Sequence, residues 1–253
     1  MIEHGLACLE NIGRFIDFAL RVFVSIPVAL ASRPGDVLVQ FERVAVQSLP
    51  IVLGAGISVG LVTWFQTHRI LAAHGAESTL PSFLGVVVLV EIGPMLAGLL
   101  VASRMGAGLA AELSAMHLNE EIDARIILGV APRTIACAMA VPLLTVLIDA
   151  SALGGGLAAE LAAGHLSPTA YGHRAMDFLR FSDIIPATLK TSVFGFLIGV
   201  VGCWTGLRAG RSAEEVGHAA TSGVVRSTLA VFAANVVVVP LIQAISDSVG
   251  WFN

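Results

Sequence analysis

Apolar residues run through this chain in five long blocks, each carrying at most one ionisable Asp, Glu, Lys or Arg: residues 49–66, 83–102, 134–159, 184–207 and 223–246. A helix needs roughly 20 residues to cross about 30 Å of hydrocarbon, so each block predicts a transmembrane helix. The first 48 residues follow another pattern. Between residues 8 and 26, Glu10, Arg14, Asp17 and Arg21 recur at i, i+4, i+7 and i+11, which puts them on one stripe of a helix. Leu9, Ile12, Phe15, Ile16, Ala19, Leu20 and Phe23 cover the remainder. That pattern predicts an amphipathic helix lying in the cytoplasmic interface, or a soluble helix packed on a partner. Pro34-Gly35 interrupts it, and a second short amphipathic segment, 36–47, leads into the first span.

The expected organisation is therefore all-α: interfacial helices over 1–48, a five-span domain over 49–246, and a short extracytoplasmic tail over 247–253. Five spans put the termini on opposite sides. A cytoplasmic N-terminus places ten arginines inside and leaves Arg69, Arg174, Arg180 and Lys190 outside or near the outer face, which sets the orientation. Residues 160–183 are expected to cap the bundle on the outer side. Glu3 and Glu10, and the lack of an unbroken apolar core before Arg14, argue against a signal peptide.

Composition agrees with a membrane protein: 56% hydrophobic, 13% charged, mean hydropathy +0.87. A net charge of −4 gives no reason to expect nucleic-acid binding. Cys8, Cys137 and Cys203 are too dispersed for a disulfide framework or a zinc site. The single lysine, Lys190, follows Leu189 rather than glycine, so the chain has no phosphate-binding loop. Neither a His-Glu-x-x-His helix nor a Gly-x-Ser-x-Gly elbow is present. No catalytic residue, metal or cofactor is expected, and any ATP must be hydrolysed by a separate chain.

Chemistry concentrates in two places. Glu91 opens the Glu91-Ile92-Gly93-Pro94 break inside the second apolar block. A carboxylate at membrane depth costs about 3 kcal/mol or more and should face a cavity or a partner. Pro94 frees the carbonyl of residue 90 and permits a kink. Glu91, with Ile92, Met95, Leu96 and Leu99 beside it, is the candidate lining of a substrate path; the alternative is a buried Glu bonded to a neighbouring helix. Asp149 and Asn235 read as polar contacts between helices. Glycines at 195, 199, 202, 206 and 210, and at 56 and 60, suit close helix packing within the chain or between copies. The second place is the turn after the second span. Glu120, Glu121, Ile122, Asp123 and Ala124, closed by Gly129 and Pro132, suit a rigid helix near 114–132 that presses on another protein. A solvated charged face is the alternative.

Three groups of residues then carry a resemblance. They are Glu91-Ile92-Gly93-Pro94 through Ser103-Arg104-Met105-Gly106; Ala111-Glu112-Leu113 through Glu120-Glu121-Ile122-Asp123-Ala124 to Gly129-Val130-Ala131-Pro132; and Leu189-Lys190-Thr191 through Gly202-Cys203-Trp204-Thr205-Gly206-Leu207-Arg208 to Ala219-Ala220-Thr221. In order and spacing the chain resembles the MlaE/YrbE permease family of ABC-type lipid transporters. Asn119, Glu121 and Arg125 depart from the family's usual Thr, Gln and Leu. The resemblance implies a homodimeric permease of the bacterial inner membrane with five spans and an N-terminal interfacial helix. It also implies cytoplasmic ATPase subunits contacting residues 120–124, an MCE-domain protein on the other side, in many members a STAS-domain partner, and phospholipid or a related lipid as cargo. The competing classes are an intramembrane lipid-modifying enzyme, which would need clustered Asp or His, and a membrane scaffold, which would not need an acidic motor-facing helix.

Overall fold

The computed structural model of the chain describes residues 2–118, 126–164, 166–210 and 212–249, and among these it contains helices and turns but no strand. In chain order the helices are α1 (Ile2–Ser32), α2 (Pro34–Ala73), α3 (Leu80–Val87), α4 (Gly93–Leu118), α5 (Ile126–Ala163), α6 (Pro168–Met176), α7 (Phe181–Leu207) and α8 (Ala213–Val249). A 3₁₀ turn, Glu77–Thr79, precedes α3, and a π-helical turn, Val88–Ile92, joins α3 to α4.

The five apolar blocks coincide with helical segments long and apolar enough to cross a membrane, the last block running two residues past its segment: Pro34–Ala73, Glu77–Leu118, Gly129–Ala163, Asp183–Leu207 and Ala213–Ala244. By length and composition a sixth segment, Glu10–Ser32, also qualifies. Its charges do not break the helix because they pair along its surface, Arg14 with Glu10 at 2.5 Å and Arg21 with Asp17 at 2.8 Å. All four of these side chains are more than 60% exposed. Pro34 starts α2 at the position where a missing N–H matters least. The amphipathic segment 36–47 and the first span are one continuous helix of 40 residues rather than two elements. Gly75 and Gly164, at φ +65° and +76°, follow α2 and α5 in the left-handed region that suits a helix stop. The segment 160–183 is partly helical: Ser167 caps α6 by accepting a hydrogen bond from the Ala170 N–H.

The chain divides into two compact units. One comprises Met1–Val44, Val101–Met139 and Gly195–Val231; the other comprises Ala45–Leu100, Ala140–Phe194 and Phe232–Asn253. In the first, α1 docks on α7 through aromatic rings, Phe15 and Phe18 lying 5.8 and 5.1 Å from Trp204 and Phe23 lying 5.9 Å from Phe196. The glycine stripe of α7 is used within the chain. Cβ atoms at Gly195, Gly199 and Gly206 would strike the backbone at Cys137, Thr134 and Ala110. In the second unit Trp64, Leu80, Leu84, Val88, Leu89, Ala152 and Ala159 form the core.

Gly60 lets α2 approach α5 at Ala152 in that second unit, where a Cβ would collide with the Ala152 carbonyl. Gly60→Val should therefore destabilise the protein by about 1–3 kcal/mol, because backbone rather than a flexible side chain must move. Gly54 has open space around its Cα, so Gly54→Ala should be neutral or stabilising. Thermal unfolding in detergent checks the pair, and equal midpoints for the two variants would refute the packing argument.

Candidate functional site

The site begins with a proline. Pro94 has no N–H to give the carbonyl of Val90, and the chain answers with the π turn Val88–Ile92, closed by the Gly93 N–H bonding to the Val88 carbonyl. The freed Val90 carbonyl accepts a hydrogen bond from Lys190 Nζ of α7 at 3.1 Å. The same ammonium lies 2.7 Å from Glu91 Oε2. Asn235 of α8 donates from Nδ2 to Glu91 Oε1 at 2.6 Å, so both carboxylate oxygens are held. The lysine side chain is 3% exposed and the glutamate 43%. The charge pair is thus anchored on its cationic side and open on its anionic side.

Glu91 and Lys190 stand in the wall of a cavity of about 330 Å³ inside the second unit. Val86 and Val90 flank Glu91, Pro186 and Ala187 precede Lys190 on α7, and α8 contributes Val239, Ile242 and Gln243. An apolar volume with a few converging polar groups is the usual form of a small-molecule site. A fixed ammonium, an accessible carboxylate and an amide can hold a polar group, and the apolar walls can accept hydrocarbon. Asp149 packs beneath the turn, where a Cβ at Gly93 would collide with its carboxyl group. It is 7% exposed, and its Oδ1 has no hydrogen-bond partner among the described residues.

Of the residues expected to line a lipid cavity, Glu91 lines this one. Ile92, Met95, Leu96 and Leu99 are half-buried and outside its lining. The coupling candidates Glu120, Glu121, Ile122, Asp123 and Ala124 lie outside the described residues. What sequence reasoning missed is Lys190. A signal was available, since the only lysine in the chain sits in an apolar block and a buried ammonium requires a counter-charge.

Two further polar groups frame the ends of the spans. In the first unit Glu112 of α4 binds Arg133 of α5 at 2.5 Å and Arg43 of α2 at 2.9 Å, while Arg133 also donates to the Gly129 carbonyl at 2.6 Å. In the second unit Trp64 Nε1 donates to Glu160 at 2.7 Å and its ring stacks on His68 at 4.6 Å. Burial, with the Glu160 carboxylate adding to it, pushes the Tyr171 phenol of α6 up to about 12. Cys137 and Cys203 are both buried and free.

The sequence is similar to known proteins along nearly its whole length. A family model described as Permease MlaE matches residues 37–241. A probable ABC transporter permease protein of Rickettsia typhi is 30% identical over 250 residues, covering 95% of each chain. One from a Synechocystis species is 32% identical over 207 residues, covering 79% of each. The Arabidopsis thaliana protein TRIGALACTOSYLDIACYLGLYCEROL 1, chloroplastic, is 30% identical over 209 residues, covering 80% of this chain and 60% of its own length. With a family match across more than two thirds of its residues, on helices that can cross a membrane, this chain belongs to the MlaE permease family of ABC transporters.

Proposed function

We propose that this permease moves a phospholipid or a related two-chain lipid between the bacterial inner membrane and an extracytoplasmic MCE-type carrier. It works as a homodimer with its N-terminus in the cytoplasm, alongside a separate ATPase subunit and, in some assemblies, a STAS-domain protein. The observation that carries the reading is the Glu91–Lys190–Asn235 cluster in the wall of an apolar cavity. A molecule with a polar head and hydrocarbon tails matches both features, whereas a small hydrophilic solute would leave the walls unpaired. The name of the Arabidopsis relative, which contains a glycosylated diacylglycerol, supports the same class of cargo. Glu120, Glu121, Ile122, Asp123 and Ala124 are the proposed contact with the ATPase, because they connect α4 to α5 on the side that the arginine count assigns to the cytoplasm.

A photoreactive amino acid at position 91, incorporated in native membranes, tests this reading. It should crosslink to lipid, and the same probe at Gly172 of α6, an open position outside the spans, should give a clearly lower lipid yield per incorporated probe. Capture of protein alone at position 91 would make Glu91 a contact between helices and move the cargo path elsewhere.

A further inference from the structure

A second cavity, of about 320 Å³, lies in the first unit where α7 ends and α8 begins. Its lining is polar in character, with Thr205 and Arg208 from α7 and Glu215, His218, Ser222 and Arg226 from α8. His218, Ser222 and Arg226 recur every four residues and so share one stripe of α8. Thr205 is 4% exposed, and its hydroxyl has no hydrogen-bond partner among the described residues. Buried hydroxyls in native structures are rarely left in that condition, and this one belongs to a residue that lines a cavity.

The cations around it are arranged unequally. Arg208 is fixed: its guanidinium lies 4.9 Å above the Trp204 ring, and Nη1 and Nη2 each sit 3.1 Å from Asn11 Oδ1 of α1. Arg226 makes no ion pair or hydrogen bond with any described residue. Against these two guanidinium groups stands one carboxylate, Glu215, whose side chain folds over Gly210. His218 is 3.7 Å from Glu214, and both are largely exposed. The lining therefore carries one net positive charge before His218 is counted, which matches one singly charged anion.

We propose that this cavity binds a phosphate group, with Arg208 and Arg226 supplying the charge and the Thr205 and Ser222 hydroxyls donating hydrogen bonds. Guanidinium groups bind phosphate oxygens in strong charge-assisted hydrogen bonds. The group can come from a lipid headgroup or from free phosphate, and position favours the headgroup. α1 carries the charge stripe of an interfacial helix, and its Asn11 contacts Arg208, which lines the cavity, while Phe15 and Phe18 pack on the neighbouring Trp204. The site lies in a different unit from Glu91 and does not rest on the transport reading.

Tryptophan fluorescence of the full-length chain in detergent provides the test, since Trp204 lies under Arg208. The probes are dihexanoylphosphatidylglycerol, sodium phosphate, and a short-chain diacylglycerol without phosphate. A saturable change that Trp204→Phe abolishes is expected with the lipid, and none with the phosphate-free control. Arg226→Gln, at an exposed position, should weaken binding about tenfold, and Ser222→Ala severalfold. Saturation by the lipid alone identifies a headgroup site, and saturation by both probes shows that phosphate suffices. Failure of both probes to saturate, or curves unchanged by Arg226→Gln, would overturn the proposal.

Discussion

Glu91→Ala should destabilise this permease more than Lys190→Met, by about 2–4 kcal/mol, although Glu91 is the more exposed partner. The asymmetry follows from burial. Without Glu91, the ammonium of a side chain only 3% exposed is left with the Val90 carbonyl among the described residues at membrane depth. Without Lys190, the carboxylate is 43% exposed and still accepts from Asn235, so water or a bound headgroup can reach it. The upper end of the range applies to pairs cut off from water on both sides, which is why the lower end is the better guide here. The double replacement removes both charges and should recover most of the loss. Thermal midpoints of the two single variants and the double in one detergent settle the matter. Additive losses would mean that the pair is not a coupled unit. If the proposed function holds, the double variant should remain poor in lipid capture even where stability returns, because it lacks both charges that would hold a headgroup.

Much of this fold can be read from the spacing of apolar residues. Each long block predicts a helix because backbone groups at membrane depth have to bond within their own segment, and that constraint allows few alternatives. The Gly-Pro break at Gly93-Pro94 was readable for the same local reason: a missing N–H always frees the carbonyl four residues earlier. The partner of that carbonyl was not readable. Lys190 lies 100 residues from Val90, and periodicity shows which face a side chain occupies on its own helix but not which helix stands opposite. Nor could α-helical spacing foresee the π turn. A π turn holds one residue more than an α turn, so residues beyond it are rotated relative to an unbroken helix. Glu91 thus lines a cavity that Met95 and Leu99, four and eight residues further on, do not line. The glycine stripe of α7 was visible as close packing, but its partners, Cys137, Thr134 and Ala110, required the structure.

The second large effect should come from Glu112 of α4, which holds Arg133 of α5 and Arg43 of α2. Arg133 is the buried member, 14% exposed, and binds Glu112 at 2.5 Å; Arg43 is 48% exposed and binds it at 2.9 Å. Glu112→Ala leaves the Arg133 charge with only the Gly129 carbonyl as an acceptor among the described residues, and an uncompensated, largely buried guanidinium is costly. Arg43→Ala leaves the Glu112–Arg133 pair intact and removes a mostly solvated contact. Losses of about 2 kcal/mol for Glu112→Ala and below about 1 kcal/mol for Arg43→Ala are therefore expected. Glu112→Gln should fall between them, because the amide oxygen can still accept one hydrogen bond from Arg133. Unfolding midpoints in detergent provide the ordering. If Arg43→Ala proved the most damaging of the three, the buried arm to Arg133 would not be the stronger contact. The same variants bear on coupling, since residues 120–124 lie between the two helices that Glu112 and Arg133 join. If that segment contacts an ATPase as proposed, Glu112→Gln should lower transport per ATP hydrolysed more than it lowers the amount of folded protein. Equal reductions in the two would make the Glu112 cluster a structural clamp alone.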